Sequence, residues 1–426
     1  MRLCVSCVNI LVTFSYFQKA FLFINKSNNL MASTKEKVLA LAHQYFEDTI
    51  ANRRHLHQNP ELSFEEYNTS AFVKVQLDQL GIPYEAKADT GIVALIKGEL
   101  ASDEVIALRA DMDALPIHEV EGRPYGSNTP GVMHACGHDV HTSSLLGTAK
   151  ILHSLKAEFG GMVKLIFQPG EERLPGGASI MIKEGALQNP APSAIIGQHV
   201  MPFIEVGKVG FREGKYMASC DELFMTVKGR GGHGAHPHQN IDPIVITAHI
   251  ITALQQIASR FADPRTPTVL SFGKIIANGA TNIVPDQVYL EGTFRTFDEQ
   301  WRAEAHETMV KMAVGIAESM GATCDFEVRK GYPFLINEPE LTRSARTFAE
   351  EYLGKENVVD LDLWPAAEDF SYYSQEINAC FYRLGTGNKT KGITSAVHTP
   401  TFDVDESSLE LSTGLMAYIT LRRLGY

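Results

Sequence analysis

Four side chains able to hold a metal crowd into eight positions of this sequence: His134, Cys136, His138 and His141, in the run His134-Ala135-Cys136-Gly137-His138-Asp139-Val140-His141. A thiolate beside imidazoles suits a zinc-like divalent ion, because softer ions favour sulfur. A lone cysteine is usually a small buried hydrophobe, so it is the clustering that carries the metal reading. A second group, Phe167-Gln168-Pro169-Gly170-Glu171-Glu172, ends in adjacent carboxylates that repel each other unless cations neutralise them. One of the two can bind a metal while its neighbour, pointing to the other side of the backbone, moves protons as a general base. In Arg109-Ala110-Asp111-Met112-Asp113-Ala114-Leu115-Pro116, the aspartates share a face if the backbone is extended, although an acidic turn after a strand reads equally well. His199 follows Gly197-Gln198, and His398 opens a proline-containing loop near the C-terminus. Together these positions offer more ligands than one tetrahedral ion needs, which fits two metals sharing a bridging ligand and a bridging water.

The elements that must hold these residues alternate between strand and helix. Helical periodicity covers Glu36 to about Gln58 and Tyr67 to Leu80, the second stopped by Gly81 and Pro83. Apolar runs at Ile92–Ile96, Val105–Leu108, Met162–Phe167 and Ala194–Gly197 read as strands, with helices expected at Val140–Phe159 and near Ser179–Gly185. This alternation predicts an α/β layer with a mostly parallel sheet. In such sheets functional residues gather at the carboxyl ends of strands, where Asp111, Asp113, Glu171, Glu172 and His199 are all expected. The middle of the chain changes character. Leu223–Lys228, Pro243–Arg260, Val269–Ile276, Val288–Phe294, Gln300–Ser319 and Thr323–Val328 give the order β-α-β-β-α-β, the split pattern of ferredoxin-like folds. Helices near Thr342–Tyr352 and Ser408–Arg423 then resume the first pattern. The expected architecture is a large α/β catalytic domain, residues 32–216 and 332–426, interrupted by a smaller α+β domain over residues 217–331.

Composition narrows the function class. A formal charge of −12 over 426 residues lacks the basic footprint that nucleic-acid binding needs. Six scattered cysteines do not form a secreted disulfide framework, so a reducing, cytoplasmic setting is expected. Residues 3–24 are largely apolar but are interrupted by Lys19 and followed by no A-x-A-like cleavage site. Residues 1–31 therefore read as an extension, with Met31 as the alternative start, and a membrane span is not expected. Gly229-Arg230-Gly231-Gly232-His233-Gly234 is glycine-rich but lacks the spacing of a phosphate loop. His236 and His238 read as loop residues, Glu368 and Asp369 as helix caps, and Cys220, Cys324 and Cys380 as packing residues.

From Arg53-Arg54-His55-Leu56-His57-Gln58-Asn59-Pro60-Glu61-Leu62-Ser63 to the C-terminal helix, the chain resembles the aminoacylase/carboxypeptidase family of co-catalytic metallohydrolases. Within it, the likeness is to the amidohydrolase branch that includes hippurate hydrolase and indole-acetyl-amino-acid hydrolases. The motifs that carry it include Arg109–Pro116, His134–His141, Gln168–Glu172, Gly231–His238, Asn282–Pro285 and Ala367–Phe370. The resemblance implies two divalent metals, zinc or manganese with cobalt or nickel also accepted. It implies Cys136 as the bridging ligand, and His138, Glu172, His199 and His398 as the other ligands. Glu171 would be the general base, Asp113 would orient a ligand, and His233 would reach from the insert to the developing oxyanion. Asn282 and Arg295 would lie near the substrate carboxylate or the oxyanion. The insert would be a lid and the contact of a homodimer, and the substrate a small N-acyl amino acid. A dipeptidase or other exopeptidase, a catalytically silent protein on the same fold, and a single structural zinc site are the competing expectations.

Overall fold

The computed structural model describes residues 34–426; the apolar stretch 3–24 and the alternative start at Met31 lie outside the described residues. Eight strands form the main sheet, in the spatial order Tyr84–Lys87, Gly91–Lys97, Gly160–Gln168, Leu100–Asp111, Ala194–Glu205, Asn378–Gly387, Val209–Phe211 and Val358–Asp360. The four central strands, from Gly160–Gln168 to Asn378–Gly387, run parallel, and antiparallel partners flank them. Side chains alternate across the sheet, as the two-residue repeat of a strand requires. Ile106, Leu108 and Ala110 join the core on one face, while Ala107 joins the core on the other. Both faces are therefore dry, which explains why these strands read as near-continuous apolar runs. Helices Phe46–Gln58, His138–Ser154 and Ser408–Arg423 pack against one another on the first face.

Between Met217 and Leu335 lies a second, antiparallel sheet in the order Thr268–Ile276, Gln287–Thr296, Asp221–Lys228 and Thr323–Lys330. Helices Pro243–Leu254 and Glu299–Ser319 pack against it and against each other. Leu223, Met225, Ile250, Leu290 and Met309 belong to a core of its own. The β-α-β-β-α-β order thus closes into a ferredoxin-like insert. Its helical run Pro243–Phe261 is long and apolar enough to cross a membrane; here one side of it, with Ile246, Ile250 and Leu254, is buried in the insert's core.

Two differences from the sequence expectation bear on the site. The helix expected from Val140 begins at His138, and the strand expected to end at Gly197 continues to Glu205. His199 is consequently inside a strand rather than at its end. Its ladder with Leu100–Asp111 stops at Gly197, while its ladder with Asn378–Gly387 continues past His199. The sheet therefore splays at His199, and the gap exposes that edge to the loops above.

Candidate metal centre

Gly137 sets the first part of the geometry. Its φ is +86°, and a Cβ there would lie 2.6 Å from Val200 Cγ2, so only glycine lets the chain turn from Cys136 into the helix that starts at His138. His138 Nδ1 lies 3.1 Å from Asp113 Oδ1. Asp113 Oδ2 in turn accepts from Ser63 Oγ at 2.6 Å and from the Glu172 N–H at 3.0 Å. Asp113 is thereby held on three sides and fixes the ring of His138, leaving Nε2 buried without a hydrogen-bond partner among the described residues. Burial works against protonating His138, yet Asp111 and Asp113 raise it to about 10. A bound cation would take the place of that proton.

The other candidate ligands converge on Cys136. His199 Nε2 is 3.4 Å from its Sγ and His398 Nε2 is 3.3 Å from it. His199 Nδ1 lies 2.8 Å from the Val200 carbonyl, so the proton belongs on Nδ1 and the lone pair of Nε2 points at the sulfur. His398 reaches the site from a backbone with φ +61°, fastened by its N–H to the Ala135 carbonyl at 2.8 Å. Glu172 Oε1 is 3.0 Å from His398 Nε2. Two ligand groups result, Cys136 with His138 and His199, and Cys136 with Glu172 and His398; within each, the donor atoms lie within 4.8 Å of one another.

The electrostatics fit a cationic guest. Burial, then Glu172 and Glu171, push the Cys136 thiol well above its usual range. Burial, then Glu368, Glu172 and Asp369, do the same to the Glu171 carboxyl. Neither group can readily ionise beside so many carboxylates unless positive charge joins them. The thiol, the unpartnered imidazole nitrogen and the crowded acids are a donor set suited to two divalent ions. Glu171 itself sits at the edge of these groups, with Oε2 3.9 Å from His138 Nε2. Its backbone carbonyl accepts from the Tyr332 hydroxyl at 2.6 Å, and its Oε1 is 3.4 Å from the Asp369 N–H.

Other expected residues have different placements. His141 is committed on both nitrogens: Nδ1 lies 2.6 Å from Asp111 Oδ1, and Nε2 accepts from the Val200 N–H at 2.9 Å. It is a neutral strut that ties the splayed strand to the helix. His134 is buried with neither ring nitrogen partnered among the described residues, and burial lowers it to about 4. Glu368 does not cap the helix Ser371–Glu376, whose N-cap position is Phe370; it accepts from the Phe370 N–H at 3.0 Å in the turn before it and lies 3.1 Å from Arg109 Nη2. Asp369 does not cap it either: it receives Arg109 Nη2 at 2.7 Å, Gln168 Nε2 at 2.8 Å and the Ala178 N–H at 2.9 Å. It binds three segments behind Glu171, a role that only the pairing of acids before Phe370 could have signalled.

Of the insert residues, His233 and Asn282 stand apart from the cluster and Arg295 does not touch it. His233 and Asn282 are exposed and neighbours of each other, and their described contacts remain within the insert. Arg295 Nη1 donates to the Pro365 carbonyl at 3.1 Å, which places it beside the cleft loop Trp364–Ala366. Arg383 lines the cleft, and Tyr332 holds the Glu171 carbonyl; neither had a functional signal of its own in the sequence.

Comparison with known proteins agrees with this geometry. Residues 107–422 match the model of peptidase family M20/M25/M40. The chain is 43% identical over 308 residues to the N-acyl-L-amino acid amidohydrolase of Geobacillus stearothermophilus, covering 72% of this chain and 82% of that one. It is 37% identical to the IAA-amino acid hydrolase ILR1-like 4 of Arabidopsis thaliana, covering 94% and 92%. The structure of the Bacillus subtilis YXEP protein, described as a dinuclear metal binding peptidase from the M20 family, superposes with a TM-score of 0.78 at 35% identity, covering 90% of this chain and 99% of that one. With a candidate metal-ligand cluster at the carboxyl ends of a parallel sheet and a ferredoxin-like insert beside it, the chain belongs to peptidase family M20/M25/M40.

Proposed function

We propose that this chain is a two-metal amidohydrolase that splits N-acyl amino acids into a carboxylic acid and a free amino acid. The observation that carries the reading is the pair of ligand groups sharing Cys136, with Glu171 at their edge. The names of the Geobacillus and Arabidopsis relatives support the substrate class. Cys136 would bridge, with His138 and His199 on one side and Glu172 and His398 on the other. When bound, the two divalent cations polarise the amide carbonyl and lower the pKa of a water beside them.

The chain's own groups do the rest. Glu171 takes a proton from the attacking water and delivers it to the amide nitrogen, so the amine leaves neutral. Asp113 holds His138 in the tautomer that presents Nε2. His233 donates to the developing oxyanion, and Asn282 and Arg295 lie near the substrate carboxylate or the oxyanion. Because His233 and Asn282 are exposed on the insert, they reach the cleft by movement of residues 217–331 or from a second copy of the chain. A homodimer through the insert is supported by the exposed Ile244, Val245, Phe261, Val269, Ile275 and Ile283 gathered there.

The test is to load purified protein with zinc, manganese, cobalt or nickel and offer N-acetyl amino acids, N-benzoyl amino acids and unblocked dipeptides. Sulfur in the bridge favours zinc on softness. Release of amino acid from the acylated substrates, with about two metals per chain, is expected. Faster dipeptide cleavage would shift the assignment to an exopeptidase. No release from any substrate would end the enzymatic reading.

A further inference from the structure

Beside the metal ligands lies a cavity of about 340 Å³ that Cys136, Glu171, His199 and His398 line on one side. The rest of the lining is mostly apolar, including Met201, Phe203, Met217 and Trp364, with the acids Glu172 and Glu368 and one arginine, Arg383. Four arginines are buried among the described residues, Arg53, Arg109, Arg302 and Arg383. The first three are each ion-paired to aspartates, Asp139, Asp111 and Asp221 respectively. Arg383 is 3% exposed, and no carboxylate of the described residues pairs with it. Its Nε donates to the Tyr216 hydroxyl at 2.6 Å and its Nη2 to Met217 Sδ at 3.0 Å. The guanidinium carbon lies 5.4 Å from the Tyr216 ring centre and 5.2 Å from that of Phe381. Aromatic faces and a thioether are weak compensation for a buried charge, and Nη1 has no hydrogen bond to any described residue.

Its location is set by the sheet. Arg383 is paired in register with His199 on the adjacent parallel strand, so the two side chains leave the sheet on the same face. A ligand lying along the apolar lining from the metal centre meets the guanidinium. We infer that Arg383 is a specificity residue, which receives a carboxylate carried by the substrate. This inference rests on the N-acyl amino acid reading and refines its substrate class. The planar fork of arginine matches a carboxylate on two nitrogens, and Nη1 is free to offer one of them. The carboxylate comes either from the amino-acid half or from the far end of a dicarboxylic acyl half; both present the same chemistry to Arg383.

Two matched substrate pairs separate these sources in the metal-loaded enzyme. N-succinyl-leucine against N-butanoyl-leucine varies the acyl end, and N-acetyl-leucine against N-acetyl-leucinamide varies the amino-acid end. The wild type should favour the acid of one pair in kcat/KM, mainly through KM. Arg383→Met should reduce that preference by about tenfold to a hundredfold, the worth of one charge-assisted hydrogen bond, and Arg383→Lys should restore part of it. A preference in the acyl pair assigns the dicarboxylic substrates, and one in the other pair assigns the amino-acid carboxylate. A wild type indifferent to the acid in both pairs, or a preference that survives Arg383→Met, overturns the inference. If the wild type hydrolyses none of the four and no member of the wider N-acyl amino acid panel, the amidohydrolase reading fails by itself. Calorimetric binding of succinamate against butanamide, and of N-acetyl-leucine against its amide, to wild type and Arg383→Met then decides the role of Arg383 without turnover: acid binding that weakens in the variant supports it, and equal binding overturns it.

Discussion

His138 and His233 both follow a glycine, yet the tertiary structure treats them in opposite ways. His138 is fully buried, with its Nδ1 against Asp113 and its free nitrogen facing Cys136, Glu171 and Glu172. His233 is exposed on a two-residue strand of the insert, next to Ile283 and the ring of His236. The first belongs to a set of side chains that are in place before any substrate arrives. The second is not in place: for the proposed role of His233, the insert or a second copy of it would have to meet the cleft. Preorganised groups avoid the reorganisation cost at the moment of reaction, whereas mobile ones trade some of that advantage for a way to admit substrate and release product.

The largest effect expected from this contrast lies in the buried set. Glu171→Gln should lower kcat by about 10²- to 10⁴-fold, the usual contribution of a positioned acid–base group, with metal content retained by elemental analysis. Normal turnover in that variant would move the base elsewhere. On the insert, His233→Ala should lower kcat by about 10²- to 10³-fold, as for loss of one oxyanion donor, and metal affinity should not change. If His233→Ala instead released metal, the separation between the two regions would collapse.

A smaller effect concerns stability. Behind the candidate metal ligands, His57 lies 2.8 Å from Asp139 and 3.0 Å from Glu119. Burial pushes the Glu119 carboxyl up, but His57, the Ser127 N–H and Arg123 more than offset it and bring it down to about 2. A depressed carboxylate contributes stability above its unfolded value, near 4.5, and loses it as pH falls towards 2. Glu119→Gln should therefore lower unfolding stability at pH 7, and the difference from wild type should shrink steadily below about pH 4.5 in denaturant titrations. Glu327→Gln, on an exposed ion pair of the insert with Arg329, should change stability little at either pH. Equal effects of the two substitutions would contradict the division between a buried ionic network and an exposed ion pair.

Much of this was legible in the chain. The helices Tyr67–Leu80 and Ser408–Arg423 end where the sequence places them, the first at Gly81 with φ +66°. The insert's β-α-β-β-α-β order was readable because its elements are regular, local and separated by turn residues. The strand Asn378–Gly387 was not, although it pairs along the centre of the sheet. Its polar start, its arginine and its closing glycines break the apolar pattern that marks a buried strand, and with it Arg383 went unread.

The residue types near Cys136, their spacing and the paired acids at Glu171 and Glu172 determined by themselves that this chain carries hydrolytic metal chemistry on an α/β sheet. They did not determine which histidine ligates. His138 and His141 sit three residues apart on one helix, and only the Val200 N–H, brought in by a strand 59 residues away, occupies His141 and leaves His138 open. The tertiary structure also decided that Arg383 stands across from His199 without an acid beside it. Ligand type is a property of the residue itself, but an available lone pair or an uncompensated charge is a property of its neighbours, and those are set by strand register and packing.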